Sequence, residues 1–336
     1  MTGSRTQGPD GPASAVPAAV RVTAPARLHL GFLDLGGSLG RRFGSLGLTL
    51  ERPVTSVHLA PAQRDSLDGP DSARAGKARD AVRAATGASR PLAITVETAL
   101  PAHNGLGSGT QLALAVAAGM ARLKGRPDDP RALAGALGRG RRSAIGLAAF
   151  MAGGVVVDGG KAVGGDADAP PPVIARLPVP DDWRILLITD TARAGLSGEA
   201  ETRAMGRLPP FPEDLAAHLC HLTLMRALPA LAEGAVQGFG AAVGEIQRHL
   251  GDHYAAAQGG GRYSSPDVAE VMEFLAAEGV AGIGQSSWGP TGFAILGSLE
   301  EAEALSSRLR SRYAAKANLG FDCVRGNNRG ADVVDL

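Results

Sequence analysis

Residues 101–112, Pro-Ala-His-Asn-Gly-Leu-Gly-Ser-Gly-Thr-Gln-Leu, form a glycine-rich turn between two regular elements. The turn follows residues 91–100, which are typical of a strand, and leads into the apolar residues 112–123, which predict a helix. Its glycines permit positive φ angles and a close approach of the backbone to a ligand. The start of the helix would present free N–H groups and a partial positive charge, which suits a phosphate or diphosphate. The alternative is a flexible turn that binds nothing.

The polar residues of this turn refine the prediction. Ser108 and Gln111 have the three-residue spacing of a capping box, so we expect the Ser108 side chain to cap the helix. No lysine follows the glycines, and the turn is therefore not a Walker P-loop.

The composition describes an aliphatic and nearly neutral protein. The chain has 336 residues, 44% of them hydrophobic and only 4% aromatic, which suits one large lobe or two joined lobes with an aliphatic core. The net charge of +1 gives no electrostatic case for binding nucleic acid or a membrane. Two cysteines do not suggest a disulfide framework or a metal cluster.

The beginning of the chain and its apolar runs bear on localisation. Residues 1–19 lack the apolar core of a signal peptide and predict a disordered tail. The apolar run over residues 112–121 is too short to span a bilayer. We therefore expect a soluble cytoplasmic protein.

The order of predicted elements divides the chain into two lobes. Strands are predicted at residues 20–24, 28–33, 47–51, 54–60, 92–98, 154–158, 183–189 and 293–296. Helices are predicted at residues 72–86, 129–138, 143–151, 212–228, 231–250, 266–278 and 299–313. The Gly-, Ala-, Asp- and Pro-rich residues 159–172 predict a boundary loop, which gives a tail (1–19), an N-terminal lobe (20–165) and a C-terminal lobe (166–336).

Three segments carry a resemblance to a known family. Pro-x-x-x-Gly-Leu-Gly-Ser from Pro101 resembles the phosphate loop of the GHMP kinase superfamily, which includes galactokinase and homoserine kinase. Residues 26–47, Ala-Arg-Leu-His-Leu-Gly-Phe-Leu-Asp-Leu-Gly-Gly-Ser-Leu-Gly-Arg-Arg-Phe-Gly-Ser-Leu-Gly, are similar to one branch of it, the β-ribofuranosylaminobenzene 5′-phosphate synthases. So are residues 282–293, Gly-Ile-Gly-Gln-Ser-Ser-Trp-Gly-Pro-Thr-Gly-Phe. The resemblance, which covers roughly residues 20–330, implies an α+β, two-lobe GHMP-kinase-like fold. The N-terminal lobe would resemble ribosomal protein S5 domain 2, and the C-terminal lobe would be ferredoxin-like.

The same resemblance implies a reaction. The substrates would be 4-aminobenzoate and 5-phosphoribosyl pyrophosphate (PRPP), which condense with loss of CO₂ and pyrophosphate during tetrahydromethanopterin biosynthesis. Mg²⁺ is expected to accompany PRPP, and no nucleotide cofactor is expected. The partners implied are these small molecules and a second copy of the chain, since superfamily members are often dimers; neither nucleic acid nor a membrane is expected.

Two alternatives stay open at the level of sequence. An ATP-dependent GHMP kinase has a second serine in the phosphate loop, where this chain has Gly109. Many such kinases also carry an aspartate where the stretch Ser-Ala-Ile-Gly places Gly146. Because phosphoryl transfer needs metal and a group that orients the nucleophile, both glycines argue against a kinase. The other alternative is a protein that binds a phosphate ligand without catalysis.

The resemblance and the chemistry assign candidate residues to four roles. The expected catalytic residues are Asp34, Arg41, Arg27 and His29. The expected PRPP-binding residues are Gly105, Leu106, Gly107, Ser108, Gly109, Thr110, Arg193 and Ser197. The expected aminobenzoate-binding residues are Gln285, Ser286, Ser287, Trp288, Arg262 and Tyr263. The expected metal ligands are Asp34 and Glu199.

Physical reasons support these assignments, and each has a structural alternative. Arg27 and His29 alternate on a strand and should share one face. Arg41 and Arg42 are both suited to bidentate contact with phosphate, although arginines in loops are usually solvated, and the resemblance favours Arg41. Asp34 follows a strand, where a turn aspartate is equally ordinary. Trp288 is suited to stacking on an aromatic ring, or to a place in the core.

Overall fold

The computed structural model describes residues 17–125, 130–196 and 198–336. Its strands are β1 (Val20–Asp34), β2 (Arg41–Pro61), β3 (Ser66–Asp68), β4 (Leu92–Thr98), β5 (Val155–Asp158), β6 (Lys161–Ala162), β7 (Val173–Leu177), β8 (Arg184–Asp190), β9 (Ile283–Gln285), β10 (Gly292–Leu296), β11 (Leu319–Val324) and β12 (Asp332–Asp335). Its α-helices are α1 (Ser72–Thr86), α2 (Ser108–Arg122), α3 (Pro130–Ala134), α4 (Ile145–Met151), α5 (Gly198–Met205), α6 (Glu213–Leu222), α7 (Leu228–Ala232), α8 (Val236–Tyr254), α9 (Pro266–Ala277) and α10 (Leu299–Arg312).

The long antiparallel pair β1 and β2 organises the first sheet. Its strand order is β12-β1-β2-β4-β3, while β5 and β6 also pair with β2, and β7 pairs with β5. Because β2 is much longer than an ordinary strand, its first half pairs with β5 and its second half with β4. β7 and β12 lie beyond residue 165, so this sheet takes strands from both predicted lobes.

The second sheet is antiparallel throughout, with the order β11-β8-β10-β9. Its connections give the β-α-β-β-α-β pattern of a ferredoxin-like lobe, as predicted. The Ile-Leu-Leu-Ile run of β8 is continuous because both faces of the sheet are covered. Ile185 and Leu187 belong to the core that contains α8, whereas Leu186 and Ile188 pack with α9 and α10.

Two cores fix the position of the glycine-rich turn. The helix α2 buries Leu112, Leu114 and Val116 against the outer half of the first sheet. A second core lies between the two sheets and contains residues from both, such as Leu28 of β1 and Ile185 of β8. The turn at residues 101–107 therefore lies above a core shared by the two halves of the chain.

Several predicted boundaries shift. Helix α1 and strand β4 have the predicted limits, and Ser265 caps α9 by accepting from the Val268 N–H at 3.1 Å. The break predicted near residue 230 instead lies at residues 233–235, because α6 and α7 are joined by a π-helical turn at Thr223–Ala227. The short strands β3, β6, β7, β9, β11 and β12 were not predicted.

The continuous helical segment Glu213–Ala232 has the length and apolarity of a membrane span by composition alone. Its residues Leu219, Leu222 and Leu231 nevertheless pack into the core between the two sheets. One face of the segment therefore packs in the core, while Leu224 and Met225 on it are exposed.

Candidate active site

The glycine-rich turn depends on its glycines at two positions. Gly105 and Gly107 have φ angles of 81° and 88°, in a backbone region that residues with a side chain rarely adopt. A Cβ at Gly105 would also lie 2.1 Å from the Ser286 carbonyl oxygen. The Ser286 hydroxyl donates to the Gly105 carbonyl at 2.8 Å and accepts from the His29 N–H at 3.0 Å. Ser286 thus ties the turn to β1, and it is fully buried.

The helix α2 begins differently from the capping-box prediction, which is wrong. Gly107 is the N-cap, and no side chain caps the helix. Ser108 already lies inside the first turn, and Gln111 Nε2 donates to the Gly146 carbonyl at 2.9 Å. The first N–H groups of a helix lack intrahelical acceptors, so this uncapped terminus is open to an anion.

Three guanidinium groups gather around this terminus. A Cβ at Gly107 would lie 3.4 Å from Cζ of Arg27. A Cβ at Gly109 would lie 2.6 Å from Nη2 of Arg74 and 3.1 Å from Nη1 of Arg139. Arg27 donates to the Gly105 carbonyl through Nη1, and Arg74 donates to Asp71 at 2.9 Å.

Among the described residues, neither Arg27 nor Arg139 forms a salt bridge, whereas Arg74 is paired with Asp71 at 2.9 Å. The Nε atoms of Arg27 and Arg139 are buried and have no hydrogen-bond partner in the part of the chain that the structure describes. Burial lowers the pKa of Arg27 to about 10, and burial together with the charge of Arg74 lowers the pKa of Arg139. With a pKa near 10, Arg27 stays protonated at neutral pH, and the cluster is suited to a polyanionic ligand.

Arg27 and Arg139 line a cleft of about 710 Å³. Its walls come from β1, the first turn of α2, the loop at residues 138–143 and the helix α5. Two carboxylates in the cleft are paired, Glu201 with Arg142 at 2.9 Å and Glu199 with Arg203 at 3.3 Å. The remaining charge of the cleft is therefore positive.

Arg27 and His29 share this cleft, as the alternation along β1 predicted. His29 is 5% exposed, and its Nε2 has no hydrogen-bond partner among the described residues. Burial, Arg27 and Arg142 together lower the pKa of His29 to about 3. His29 is therefore neutral at the pH of any ordinary assay, and it is not a general acid in the free protein.

This shift makes stability depend on pH. The pKa of His29 falls from 6.5 to about 3 on folding. Between these two pH values the unfolded chain binds a proton at His29 and the folded protein does not, so a falling pH favours unfolding. We expect the unfolding free energy to fall by up to about 2 to 3 kcal/mol from this residue between pH 7.5 and 4.5. Urea denaturation of the wild type and His29→Asn at both pH values measures it. An equal pH dependence in the two proteins would contradict the assignment.

Two predicted catalytic residues have structural roles in this structure. The Asp34 carboxylate accepts from the N–H groups of Gly36 at 2.7 Å and Gly37 at 2.9 Å, as a turn aspartate does. The Arg41 side chain donates to the carbonyls of Gly159 and Gly160 at 2.6 Å each. Neither side chain lines the cleft, because each is engaged by nearby backbone.

The remaining predicted anion and metal residues also separate. Arg193 is exposed and lies outside the cleft, and Ser197 falls outside the described residues. Glu199 lines the cleft but lies apart from Asp34 and pairs with Arg203. Since Glu201 is also paired, the described carboxylates do not form a protein-held Mg²⁺ cage.

All of the predicted aminobenzoate residues except Ser286 line a different and much smaller cavity. It measures about 30 Å³, which suits one water molecule and not an aromatic ring. Tyr254 already packs on Trp288, with ring centroids 4.7 Å apart, and Arg262 pairs with Asp252 at 2.6 Å. Gln285 accepts from the Ser264 N–H at 2.6 Å. Trp288 is thus a core residue, and Gln285, Arg262 and Tyr263 are engaged around it. Ser287 alone of this set also lines the cleft.

A second large cavity, about 670 Å³ in volume, adjoins the cleft. We call it the side pocket, and its walls include Leu35, Phe43, Met205, Leu208, Phe211 and His253, with Arg42 and Arg142. The sequence did not predict this pocket. Arg42, next to the predicted Arg41, is the arginine of this pair that lines it.

Backbone strain concentrates at these sites. The non-glycine residues that the structure describes with positive φ are Phe43, Asp71, His103 and Ser287. Phe43 lines the side pocket and Ser287 the cleft, while Asp71 holds Arg74 and His103 lies in the glycine-rich turn. Such conformations cost free energy and cluster at functional sites, and Ser287 is the one of the four that lines the cleft.

Comparison with known proteins identifies the family. Residues 73–154 match the family model described as GHMP kinases N terminal domain, and residues 227–315 match GHMP kinases C terminal. The β-ribofuranosylphenol 5′-phosphate synthase of Archaeoglobus fulgidus is 34% identical over 94% of this chain and 99% of its own. The chain belongs to the β-ribofuranosylphenol 5′-phosphate synthase family. The synthase of that name from Methanothermobacter thermautotrophicus is 33% identical over 82% of this chain and 88% of its own.

Solved structures confirm the fold predicted for this member of the synthase family. Homoserine kinase from Cytophaga hutchinsonii superposes with a TM-score of 0.67 at 20% identity, covering 96% of this chain and 99% of that one. Mevalonate diphosphate decarboxylase from Staphylococcus aureus gives 0.63 at 15% identity, covering 94% and 98%. The two-lobe, α+β GHMP-kinase-like fold is therefore confirmed, and the chain is an enzyme of the synthase type.

Proposed function

We propose that this enzyme condenses PRPP with 4-aminobenzoate, releasing CO₂ and pyrophosphate, to form 4-(β-D-ribofuranosyl)aminobenzene 5′-phosphate. The observation that carries the proposal is the cluster of Arg27, Arg74 and Arg139 at the open terminus of α2. A GHMP phosphate loop with this much added positive charge suits a diphosphate that must leave with its negative charges stabilised.

The reaction follows from the electronics of the acceptor. The para amino group donates electron density to the ring carbon that carries the carboxylate. That carbon forms a bond to C1′ of the ribose as the bond from C1′ to the diphosphate oxygen breaks, through an oxocarbenium-like state. The bond between the ring and the carboxylate then breaks, CO₂ leaves, and its electron pair restores the aromatic ring. Attack opposite the leaving group inverts an α-configured donor into a β-configured product.

The residues of the cleft divide this work. The N–H groups of Ser108 and Gly109, with Arg74 and Arg139, hold the diphosphate as its charge develops. Arg27, placed deeper beside Gly107, neutralises the negative charge that develops on the diphosphate oxygen leaving C1′. Mg²⁺ bound to PRPP supplies further charge neutralisation of the leaving group when it is present.

The acceptor acid could carry either an amino or a hydroxyl group in the para position. The curated relatives are named for a phenol product, whose acceptor acid would carry a hydroxyl in place of the amino group. Both groups donate electrons to the para carbon, so the chemistry above serves either acid. We place the reaction in tetrahydromethanopterin biosynthesis, carried out in the cytoplasm by a homodimer.

Release of labelled CO₂ tests this function. The purified protein with Mg²⁺, PRPP and carboxyl-labelled 4-aminobenzoate is expected to release label only when both substrates are present. The same assay with 4-hydroxybenzoate decides between the two acids. Folded protein that releases no label from either acid would refute the synthase proposal.

The kinase alternative has little support at the corresponding positions. Gly109 faces two arginines, and Gly146 has no side chain that could supply a carboxylate. A Cβ at Gly146 would also lie 3.0 Å from Thr110 Cγ2, so a larger residue would be crowded there. Phosphoryl transfer to an alcohol would lack the group that orients its nucleophile. ATP consumption in the presence of small alcohols is the assay that would revive this alternative.

A further inference from the structure

The side pocket has the size and surface of a site for an aromatic ring. A cavity of about 150 Å³ lined by aliphatic and aromatic side chains is sufficient to bind benzene, and the side pocket exceeds this severalfold. Leu35, Met205, Leu208 and Phe211 give it largely apolar walls.

The side pocket is continuous with the arginine-rich cleft. Arg142 and Thr202 line both cavities. Arg142 is fixed there, because its Nη1 lies 2.9 Å from Glu201 Oε1 and 2.8 Å from Met205 Sδ. The rings of Phe32, in the cleft, and Phe43, in the side pocket, lie 5.2 Å apart. A ring in the side pocket can therefore direct one edge towards a ligand held at α2.

One polar atom of the side pocket lacks a partner. His253 Nε2 is buried and makes no hydrogen bond within the described ranges. The ring itself is held edge-to-face against Phe211, with centroids 4.9 Å apart. Burial lowers the pKa of His253 and so favours the neutral imidazole, and the tautomer protonated at Nδ1 leaves Nε2 as a hydrogen-bond acceptor. A buried acceptor without a donor is costly, and a ligand N–H or O–H would remove that cost.

We infer that the side pocket binds the aromatic acid, with His253 Nε2 accepting a hydrogen bond from the para amino or hydroxyl group and Arg142 facing the carboxylate. This inference rests on the proposed function and extends it to the acceptor site. As the ring carbon bonds to C1′, electrons move from the para group into the ring and its proton becomes more acidic. The hydrogen bond to His253 therefore strengthens in the transition state, and loss of CO₂ returns the electron pair to the ring.

A comparison of ligands with and without the para group tests the inference. Calorimetry measures the binding of 4-aminobenzoate and benzoate, with inorganic diphosphate present and PRPP omitted so that no turnover occurs. The wild type is expected to bind 4-aminobenzoate about tenfold more tightly than benzoate, the contribution of one buried hydrogen bond. The variant His253→Phe is expected to bind the two acids equally. Equal binding by the wild type, or an unchanged preference in His253→Phe, would overturn the inference.

Two further variants separate a local effect from misfolding. His249→Phe changes a histidine one helical turn away on α8, outside the side pocket, and is expected to keep the wild-type preference. Leu208→Trp fills the side pocket and is expected to weaken both acids together while PRPP affinity is unchanged. If Leu208→Trp binds both acids normally, the acceptor lies elsewhere. Because no step requires turnover, failure here is distinguishable from failure to release CO₂.

Discussion

The variant Arg139→Met is expected to lower kcat/KM for PRPP by about 100- to 1000-fold, the usual cost of removing one preorganised group that stabilises developing charge. Arg139 lines the cleft, and its guanidinium lies beside Gly109 in the first turn of α2. If it contacts the leaving diphosphate, the loss falls mainly on kcat, because the charge on that group grows in the transition state. A contact with the distant 5′-phosphate would raise KM instead. Initial rates over a range of PRPP concentrations separate the two.

The same variant is expected to lose activity without losing stability. Burial and the charge of Arg74 disfavour the protonated form of Arg139, as the lowered pKa of Arg139 records. Removing this charge is expected to keep or raise the melting temperature of the ligand-free protein, a trade of stability for function. Arg64→Met, which removes an exposed arginine between β2 and β3, serves as the control and should change neither property. An active Arg139→Met with a lowered melting temperature would assign Arg139 a structural role.

The sequence predicted those parts of the site that lie close together along the chain. The glycine-rich turn and the pair Arg27 and His29 follow from local spacing. Arg27, His29 and Thr110 line the cleft, and the turn holds Arg27 through the Gly105 carbonyl. Arg74 and Arg139 were not predicted, since they come from α1 and from a loop some 65 residues apart in the printed sequence. Only the packing of α1 against α2 brings Arg74 to Gly109. Single-sequence patterns hold no signal for such a meeting.

Local pattern also failed where neighbouring residues of one type differ in direction. Arg41 and Arg42 are adjacent, yet Arg41 binds the carbonyls of Gly159 and Gly160 while Arg42 lines the side pocket. The difference depends on β6, which pairs with the start of β2 and was not predicted. The place of Trp288 in the core was likewise not evident from local pattern, because its neighbour Tyr254 comes from the end of α8. Side-chain direction at these positions is decided by tertiary contacts.

The variant Gly109→Ser restores the serine of the kinase phosphate loop and is expected to lower kcat/KM for PRPP by about 10- to 100-fold, the loss of one charge-assisted hydrogen bond or two. Its Cβ would lie 2.6 Å from Arg74 Nη2 and about 3 Å from both terminal nitrogens of Arg139. These atoms are the ends of flexible side chains, so the protein is expected to fold and the two guanidinium groups to move. The expected loss of activity comes from filling the space beside Gly109, and not from the hydroxyl. Gly109→Ala is therefore expected to behave like Gly109→Ser.

Three measurements on the Gly109 variants distinguish space from chemistry. Steady-state kinetics with PRPP should give matched losses for serine and alanine, whereas Gly261→Ala, where a Cβ meets its nearest neighbour at 3.4 Å, should match the wild type. Circular dichroism should show intact folds for all of these variants. Gly109→Ser should not phosphorylate alcohols with ATP, because Gly146 still offers no carboxylate. Wild-type kinetics in Gly109→Ala with a loss only in Gly109→Ser would show that the hydroxyl itself disturbs the site. The need for space beside the arginine cluster would then not explain the glycine at this position.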